Sequence, residues 1–521
     1  MSVTMSSVSG ILILALLING AFSARILGVF HGFAYSHQQV GNKILYELAA
    51  RGHQVTAIVP APFASKTPIK NYTPVKIELP DFAKDKELDL YKESERGILS
   101  KVIFMDVMGA IFSEMVFNQT TVQELLKSNE QFDMVIMEQF INEAFKGFCY
   151  HYKAHCVVVS TVGTSRWTDF QMGNPINPAY MPDLYLSYSS NMNFCQRLVN
   201  SITFLLATLN FFLLTLPKHN EIMQRYIPGT PHLNELYYNT SLMLLNSHTS
   251  INSPVPLVPN MIEIGGFHVN PPKPLSKDLQ DYLDEAKDGA IYFSMGSNLQ
   301  GKDMNKEVRD AILKVFSKLK HKVLWKWEAD VLPNQPKNVR LGKWFPQQDI
   351  LAHPNIKLFI THGGYLSTTE AIYHGVPIVG IPVFGDQEMN VATAEIAGYG
   401  KGVGYKYLTE ESFGKAVSEV LNNPKYMENA KRRSKILHDQ PMKPLDKAMY
   451  WIEYVLRHNG APHLRTAALD LRWFQVLCLD VILFAVFTVF AVIFAVYKAI
   501  SIACRRRPSK SKLKSQAKKK N

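Results

Sequence analysis

The chain has 521 residues, 47% hydrophobic and 19% charged, with a formal net charge of +12. That length predicts two or three domains rather than one, and the apolar share fits a globular protein carrying some membrane segment. Ten Lys and Arg and no Asp or Glu lie between Lys498 and Asn521, which leaves about +3 on residues 1–474; the basic balance therefore argues against nucleic acid as a partner.

An unbroken aliphatic run from Ile11 to Ile18, followed by small residues at Ala21, Ser23 and Ala24, predicts a secretory signal peptide over residues 1–23. Residues 24–31 read as a strand. Val40, Ile44, Leu45 and Leu48 recur at helical spacing until Arg51-Gly52-His53, and residues 55–59 form the next strand. This β-α-β opening predicts a parallel sheet, with further strands at 134–137 and 157–160. Residues 202–216 are apolar but too short for a bilayer span; they read as a buried core helix, with a helix dipping into the membrane face as the alternative. Pro254, Pro256, Pro259, Pro271, Pro272 and Pro274 mark a linker. A second β-α series follows, with strands at 291–294, 323–327, 339–344, 357–361 and 378–381, a helix over 305–319 and another over 447–457. The domain boundaries expected are 24–270 and 271–465.

Residues 475–497 are long and apolar enough to span a bilayer. Asp480 falls near one interface, and Trp473 and Tyr497 flank the run. The basic tail, 498–521, predicts a cytosolic C-terminus and a luminal body, a single-pass type I arrangement. Lys518 and Lys519, fourth and third from the end, resemble the dilysine signal of endoplasmic-reticulum membrane proteins. Of five cysteines, Cys149, Cys156 and Cys195 would be luminal, an odd number that leaves at least one without a partner in the chain. Asn71, Asn118 and Asn239 open N-glycosylation sequons, the first followed by Pro74. No Cys–His spacing suggests a metal.

The richest stretch is 359–387, FITHGGYLSTTEAIYHGVPIVGIPVFGDQ: a His and two glycines close an apolar strand, a Glu follows eight residues after the His, and Asp-Gln ends the run. It resembles the signature of the UDP-glycosyltransferases, which move a sugar from a uridine diphosphate donor to a small molecule. The resemblance implies two doubly wound, Rossmann-like α/β domains facing across a cleft, the GT-B arrangement, plus one C-terminal transmembrane helix. It also implies roles. His362, Gly363 and Gly364 would meet the diphosphate, helped by free N–H groups at the helix start expected near Ser367. Glu370 would accept from the ribose hydroxyls, and Asp386 and Gln387 would hold the sugar. Trp344, in Trp344-Phe345-Pro346-Gln347, would stack on uracil with Gln347 bonded to base or ribose, and Ser297, after Gly296, would add a phosphate contact. Many relatives carry Asn four residues after the His; Leu366 stands there, and Ser367 or backbone N–H groups would substitute.

On the acceptor side, the family's catalytic base is a His in the place of His37, in the loop after the first strand; the following helix start would help keep its ring neutral. His31 is the competitor. Relatives orient the base with an Asp; here Glu138 follows the strand 134–137, and Glu143 is the alternative. The expected reaction is an inverting displacement: His37 takes a proton from an acceptor hydroxyl, whose oxygen attacks the anomeric carbon opposite UDP. No cofactor is implied, the UDP-sugar being a co-substrate. The Leu-Ser-Thr-Thr-Glu form of the signature is most similar to insect members, which favours UDP-glucose, with UDP-glucuronate the alternative. The acceptors expected are small lipophilic hydroxyl compounds such as phenolics, pigments, hormones or xenobiotics. A membrane-anchored nucleotide-sugar or lipophile binder without catalysis is the competing reading, and a homo-oligomer is an assembly left open. A Rossmann dehydrogenase is disfavoured, because no Gly-x-Gly-x-x-Gly follows an early strand.

Overall fold

The computed structural model describes residues 23–32, 34–78 and 90–506; the expected signal peptide and the dilysine-like end lie outside these residues. Two compact units divide the chain, residues 1–465 and 466–521.

The larger unit holds two all-parallel sheets. The first begins with β1 (Arg25–Val29), α1 (Tyr35–Ala50), β2 (Gln54–Pro60) and β3 (Tyr72–Ile77). It continues through α2 (Ile98–Phe117), β4 (Met134–Glu138), β5 (His155–Ser160), α3 (Phe194–Asn210) and α4 (Leu216–Tyr226). The strands β6 (Leu242–Leu245) and β7 (Met261–Glu263) complete it. Their order, β3-β2-β1-β4-β5-β6-β7, reverses direction at β1 and β4. That is the doubly wound topology, whose crevice lies at the carboxyl ends of the strands where the order switches. Helices cover both faces, so the central strands are near-continuously apolar rather than alternating; β4 is buried at every residue.

The second sheet uses β8 (Ala290–Ser294), α5 (Lys306–Ser317), β9 (Lys322–Lys326), β10 (Val339–Gly342), α6 (Gln347–Leu351) and β11 (Ile356–Thr361). It then adds α7 (Tyr365–Tyr373), β12 (Ile378–Gly380), α8 (Gln387–Ile396) and β13 (Gly400–Gly402). The order β10-β9-β8-β11-β12-β13 repeats the same switch, now at β8 and β11.

Four expectations need correction. The proline-rich linker is interrupted: β7 lies inside it and adds an edge strand to the first sheet. The strand expected over 339–344 stops at Gly342, which frees Trp344 from the ladder. The helix α9 (Pro444–Arg457) does not pack with the second half. Its Ala448, Met449, Ile452, Val455 and Leu456 join the core formed by α1 and the first sheet, because that sheet's outer face offers apolar surface. Finally, residues 202–216 are not a buried core helix. They fall in α3, a π-helical stretch, Phe211–Thr215, and the first residue of α4, which together make one apolar helix, Phe194–Tyr226, itself long enough to cross a membrane; every leucine of the run but Leu216 is exposed. Only the inward side is tied down: Thr215 donates to the buried Asp106 of α2 at 2.8 Å, and Asn200 donates to the carbonyls of Pro178 and Met181 at 2.6 and 2.9 Å.

Cys149 and Cys156 form a disulfide between a short helix and β5, and Cys195 is free and exposed. In the smaller unit, a helical turn at Trp473–Val476 precedes α10 (Leu479–Arg506), which is long and apolar enough to cross a membrane, with Asp480 in its first turn.

Candidate active site

Parallel registry brings the site together. Thr361 of β11 lies opposite Ser294 of β8, so His362 and Gly296 leave the sheet side by side. Val29 of β1 lies opposite Met137 of β4, so the His31–His37 turn and Glu138 do the same in the other half. Between the two edges lies a cavity of about 390 Å3. Ten of the twelve side chains or glycines expected in the site line it: His37, Ser297, Trp344, Gln347, His362, Gly364, Ser367, Glu370, Asp386 and Gln387. Gly363 is buried beneath the surface, and Glu138 sits behind His37.

His37 lies in the first turn of α1 rather than in the loop before it, and Glu138 is the last residue of β4 rather than the one beyond. The carboxylate is fully buried and accepts a hydrogen bond from His37 Nδ1. Asn142 donates to the Glu138 carbonyl at 2.7 Å, holding the strand end. A Cβ at Gly32 would stand 3.1 Å from Glu138 Oε2, so glycine lets the turn close over the carboxylate. Burial pulls the His37 imidazole down, but the adjoining Glu138 carboxylate outweighs it and leaves the ring above its ordinary range. The helix start thus does not dominate, contrary to the sequence-based expectation. Burial likewise pushes Glu138 up, and His37 more than reverses it, so the carboxyl rests below its usual range. His31 is buried with Nδ1 4.0 Å from Glu138 Oε2, and burial lowers it to about 4. Glu143 turns elsewhere, accepting from Gln139 at 3.1 Å beside the buried His219.

Across the cavity, the His362 ring is clasped between Gly296 and Gly364; a Cβ on either would collide with it. Burial, with Lys326 nearby, lowers this imidazole to about 4, so near neutral pH it is an uncharged donor. The helix α7 starts at Tyr365, two residues before the expected position, and its first N–H groups open on the cavity beside His362. Glu370 is not a solvated surface residue. It is buried and receives Gln347 Nε2 at 2.6 Å on one oxygen and Gln348 Nε2 at 2.8 Å on the other. Ser367 Oγ accepts from Gln347 at 3.1 Å, which leaves its hydroxyl proton free to donate. Trp344 is 60% exposed, with its ring edge-on to Tyr35 at 5.5 Å between centroids. Asp386 receives Asn390 Nδ2 at 2.6 Å, and burial raises its carboxyl. Gln387 differs from the expectation: its carbonyl oxygen accepts from Val383 and Phe384 N–H at 2.9 and 3.2 Å, so the amide nitrogen is the end left for a ligand.

Leu366 finds a structural use. It packs in the apolar cluster of the first half with Ile264 and Phe267, at the junction between halves, and also lines the donor cavity. Sequence reasoning missed Lys326, whose ammonium donates to Gly296 O at 2.9 Å and to Glu328 at 2.6 Å at the cavity wall. A Lys ending an apolar parallel strand is the signal that could have found it. It also missed Asn298, Phe140 and Tyr185. With Phe104, Met105, Met108 and Phe112 of α2, these line a second, mostly apolar cavity of about 110 Å3 that also reaches His37. Lys101 of α2 bonds Glu388 of α8 at 3.1 Å and ties the halves together there.

Comparison with known proteins places this geometry. The family model described as UDP-glucoronosyl and UDP-glucosyl transferase matches residues 28–514. UDP-glycosyltransferase UGT5 of Dactylopius coccus is 39% identical over 94% of each chain, and UDP-glucosyltransferase 2 of the same insect is 36% identical over 91% of this chain and 92% of its own. Human UDP-glucuronosyltransferase 2B7 is 32% identical over 86% of this chain and 88% of its own. Among solved structures, the kitacinnamycin glycotransferase superposes with a TM-score of 0.58 at 16% identity, and the calicheamicin glycosyltransferase CalG4 with 0.55 at 17%; each match covers 83% of this chain and 99% of the other. These share the two-sheet fold. With the family match running across both sheets and the cavity between them, the chain belongs to the UDP-glucoronosyl and UDP-glucosyl transferase family and is a UDP-glycosyltransferase.

Proposed function

We propose that the protein transfers glucose from UDP-glucose, with inversion, to a hydroxyl of a small lipophilic acceptor, giving a β-glycoside. The observation that carries this reading is the buried Glu138 bonded to His37 at the meeting of the donor cleft and the apolar cavity. Nδ1 donates to Glu138, which leaves Nε2 as the basic nitrogen. An acceptor hydroxyl held in the apolar cavity gives its proton to Nε2 as its oxygen attacks the anomeric carbon. The C1–O bond to the diphosphate breaks on the opposite face, and the leaving electron pair is met by neutral His362 and the α7 N–H groups. Trp344 supports uracil, Gln347, Ser367 and Glu370 the ribose side, and Ser297, Gly363 and Gly364 the phosphates. Asp386 and the Gln387 amide hold sugar hydroxyls.

Glucose is favoured over glucuronate by charge. Asp386 faces the sugar end of the cavity, whose lining also includes Lys273 and the Glu328-paired Lys326. A uronate carboxylate would meet the like charge of Asp386, whereas a neutral hexose would not. The insect relative named UDP-glucosyltransferase 2 supports the same choice. The body is assigned to the endoplasmic-reticulum lumen, anchored by α10 with the tail in the cytosol. Membranes expressing the chain, given UDP-glucose or UDP-glucuronate with a phenolic panel, should yield hexosides by mass; conjugates formed only from UDP-glucuronate would overturn the sugar assignment.

A further inference from the structure

His31 lines the acceptor cavity beside His37, yet it has no task in the displacement. It sits two residues beyond β1 with its side chain 3% exposed and its ring edge-on to Phe145 at 4.8 Å between centroids. Its Nδ1 meets no hydrogen-bond partner among the described residues. The same holds for Glu138 Oε2, the oxygen that His37 leaves unused, and these two atoms face each other across 4.0 Å. The Gly32 N–H, in the same turn, exerts a smaller pull on the carboxyl than either histidine. Buried polar atoms without partners are costly, and a ring N–H opposed to a carboxylate oxygen satisfies both at little movement.

We propose that His31 is a positioning residue of the transfer: it closes on Glu138 Oε2 as an N–H donor while His37 holds Oε1, so that two imidazoles grip one carboxylate and keep it ionised as His37 takes the acceptor proton. This role acts through His37 and rests on the reading of His37 as the base.

The donor sense follows from the charge state. Burial lowers His31 to about 4, so near neutral pH it is an uncharged ring with one N–H. The facing carboxylate can only accept, which sets that proton on Nδ1. Closing the gap to the roughly 3 Å of an N–H···O bond takes about 1 Å of movement, in keeping with catalytic hydrogen bonds that tighten only when substrate is bound. The bond favours the state in which Glu138 carries its full charge and His37 is neutral, which is the state ready to receive a proton. Without it the pair binds a proton more tightly and is blocked to a higher pH. The other titratable groups around the array do not stand in for it. His219 of α4 is buried and lowered to about 3, Lys101 of α2 on the cavity wall is bonded to Glu388, and Asp386 acts on His37 from the donor half.

The test compares the full chain with His31→Leu, which fills the site without a donor, and His31→Asn, whose amide nitrogen takes the place of Nδ1. Diethyl pyrocarbonate acylates neutral imidazole, so its rate at His37 against pH, read by peptide mass, gives the ring's midpoint without any acceptor. His31→Leu should raise that midpoint by about 0.7 pH unit and lower kcat at pH 6 about fivefold with the fastest phenol of the panel. On the alkaline plateau kcat, and KM for the UDP-sugar, should stay within about twofold. His31→Asn should recover roughly half or more of the shift, and on a Glu138→Gln background His31→Leu should move nothing. A midpoint that stays in place or falls in His31→Leu would overturn the role, as would an Asn variant no better than Leu. A merely structural His31 would lower kcat equally at every pH with the midpoint fixed, which also overturns it. Should the Leu variant fail to fold, His31→Gln, whose nitrogen reaches the place of Nε2 instead, replaces it and should show the same raised midpoint. Near-normal turnover of His37→Ala would refute His37 as the base, a result separate from the His31 comparison.

Discussion

Replacing Glu138 by Gln removes a buried charge and little volume. In the displacement the His37 ring gains a proton, and the carboxylate bonded to it offsets that charge. Unit charges about 4 Å apart at an effective dielectric of about 20 interact by about 4 kcal/mol. Losing that in the transition state alone lowers kcat by about 10^3-fold. The substitution should leave UDP affinity within about twofold, because Glu138 lies in the acceptor half and behind His37. It should also move the acid limb of the residual rate. Glu138 holds the ring above its ordinary range against burial, so without it burial outweighs the smaller pull of Asp386 and the base loses its proton at lower pH. The assay is kcat against pH at saturating donor and acceptor, with UDP titrated calorimetrically. A merely structural role would lower kcat without moving the limb. A kcat within tenfold of the parent, or an acid limb that stays in place, would refute the reasoning. His37→Ala should abolish turnover while UDP still binds, and adding Glu138→Gln to it should cost nothing further, since the pair acts through one ring.

Trp344→Ala should raise KM for the UDP-sugar by about 10- to 100-fold, from a base-stacking loss of about 1–3 kcal/mol, with kcat within a few-fold; steady-state kinetics reads it. Burial raises Glu143 to about 7, so between its unfolded value near 4.5 and about 7 the folded state binds the extra proton and stability falls as pH rises. Glu143→Gln should therefore gain up to about 3 kcal/mol on the parent at pH 7 but nothing near pH 4, in paired thermal melts. Asn118 and Asn239 are exposed, whereas Asn71 has φ 62° and donates its amide to Ala49 O at 3.2 Å. Endoglycosidase treatment should remove two glycans, and Asn71→Gln should not change the mobility.

The donor side was the more legible half because its ligand imposes identities at fixed spacing. A His after an apolar strand, glycines that admit its ring, and a Glu two turns up the next helix are visible without coordinates. Their supports were not. Gln348 on Glu370 and Lys326 beside His362 come from other strands and helices, and only sheet registry brings them near. On the acceptor side His37 and Glu138 could be placed by strand ends. The wall around them could not, because Phe104, Met105 and Met108 look like any apolar helix. Exposure was the most misleading inference. An apolar run such as 202–216 reads as core when water is the assumed neighbour, and periodicity carries no information about which solvent a stripe meets.

The return of α9 to the first sheet bears on how relatives could be recombined. Five buried side chains from residues 444–457 complete the acceptor half, and each is worth on the order of 1–3 kcal/mol of burial. A chimera that joins one member's acceptor half to another's donor half at the proline-rich segment therefore swaps one seam and mismatches a second. The exchangeable donor module is the stretch from about 271 to 443, bounded at both ends, and its neighbour is a discontinuous module made of the two flanks. Specificity grafts should follow that double boundary.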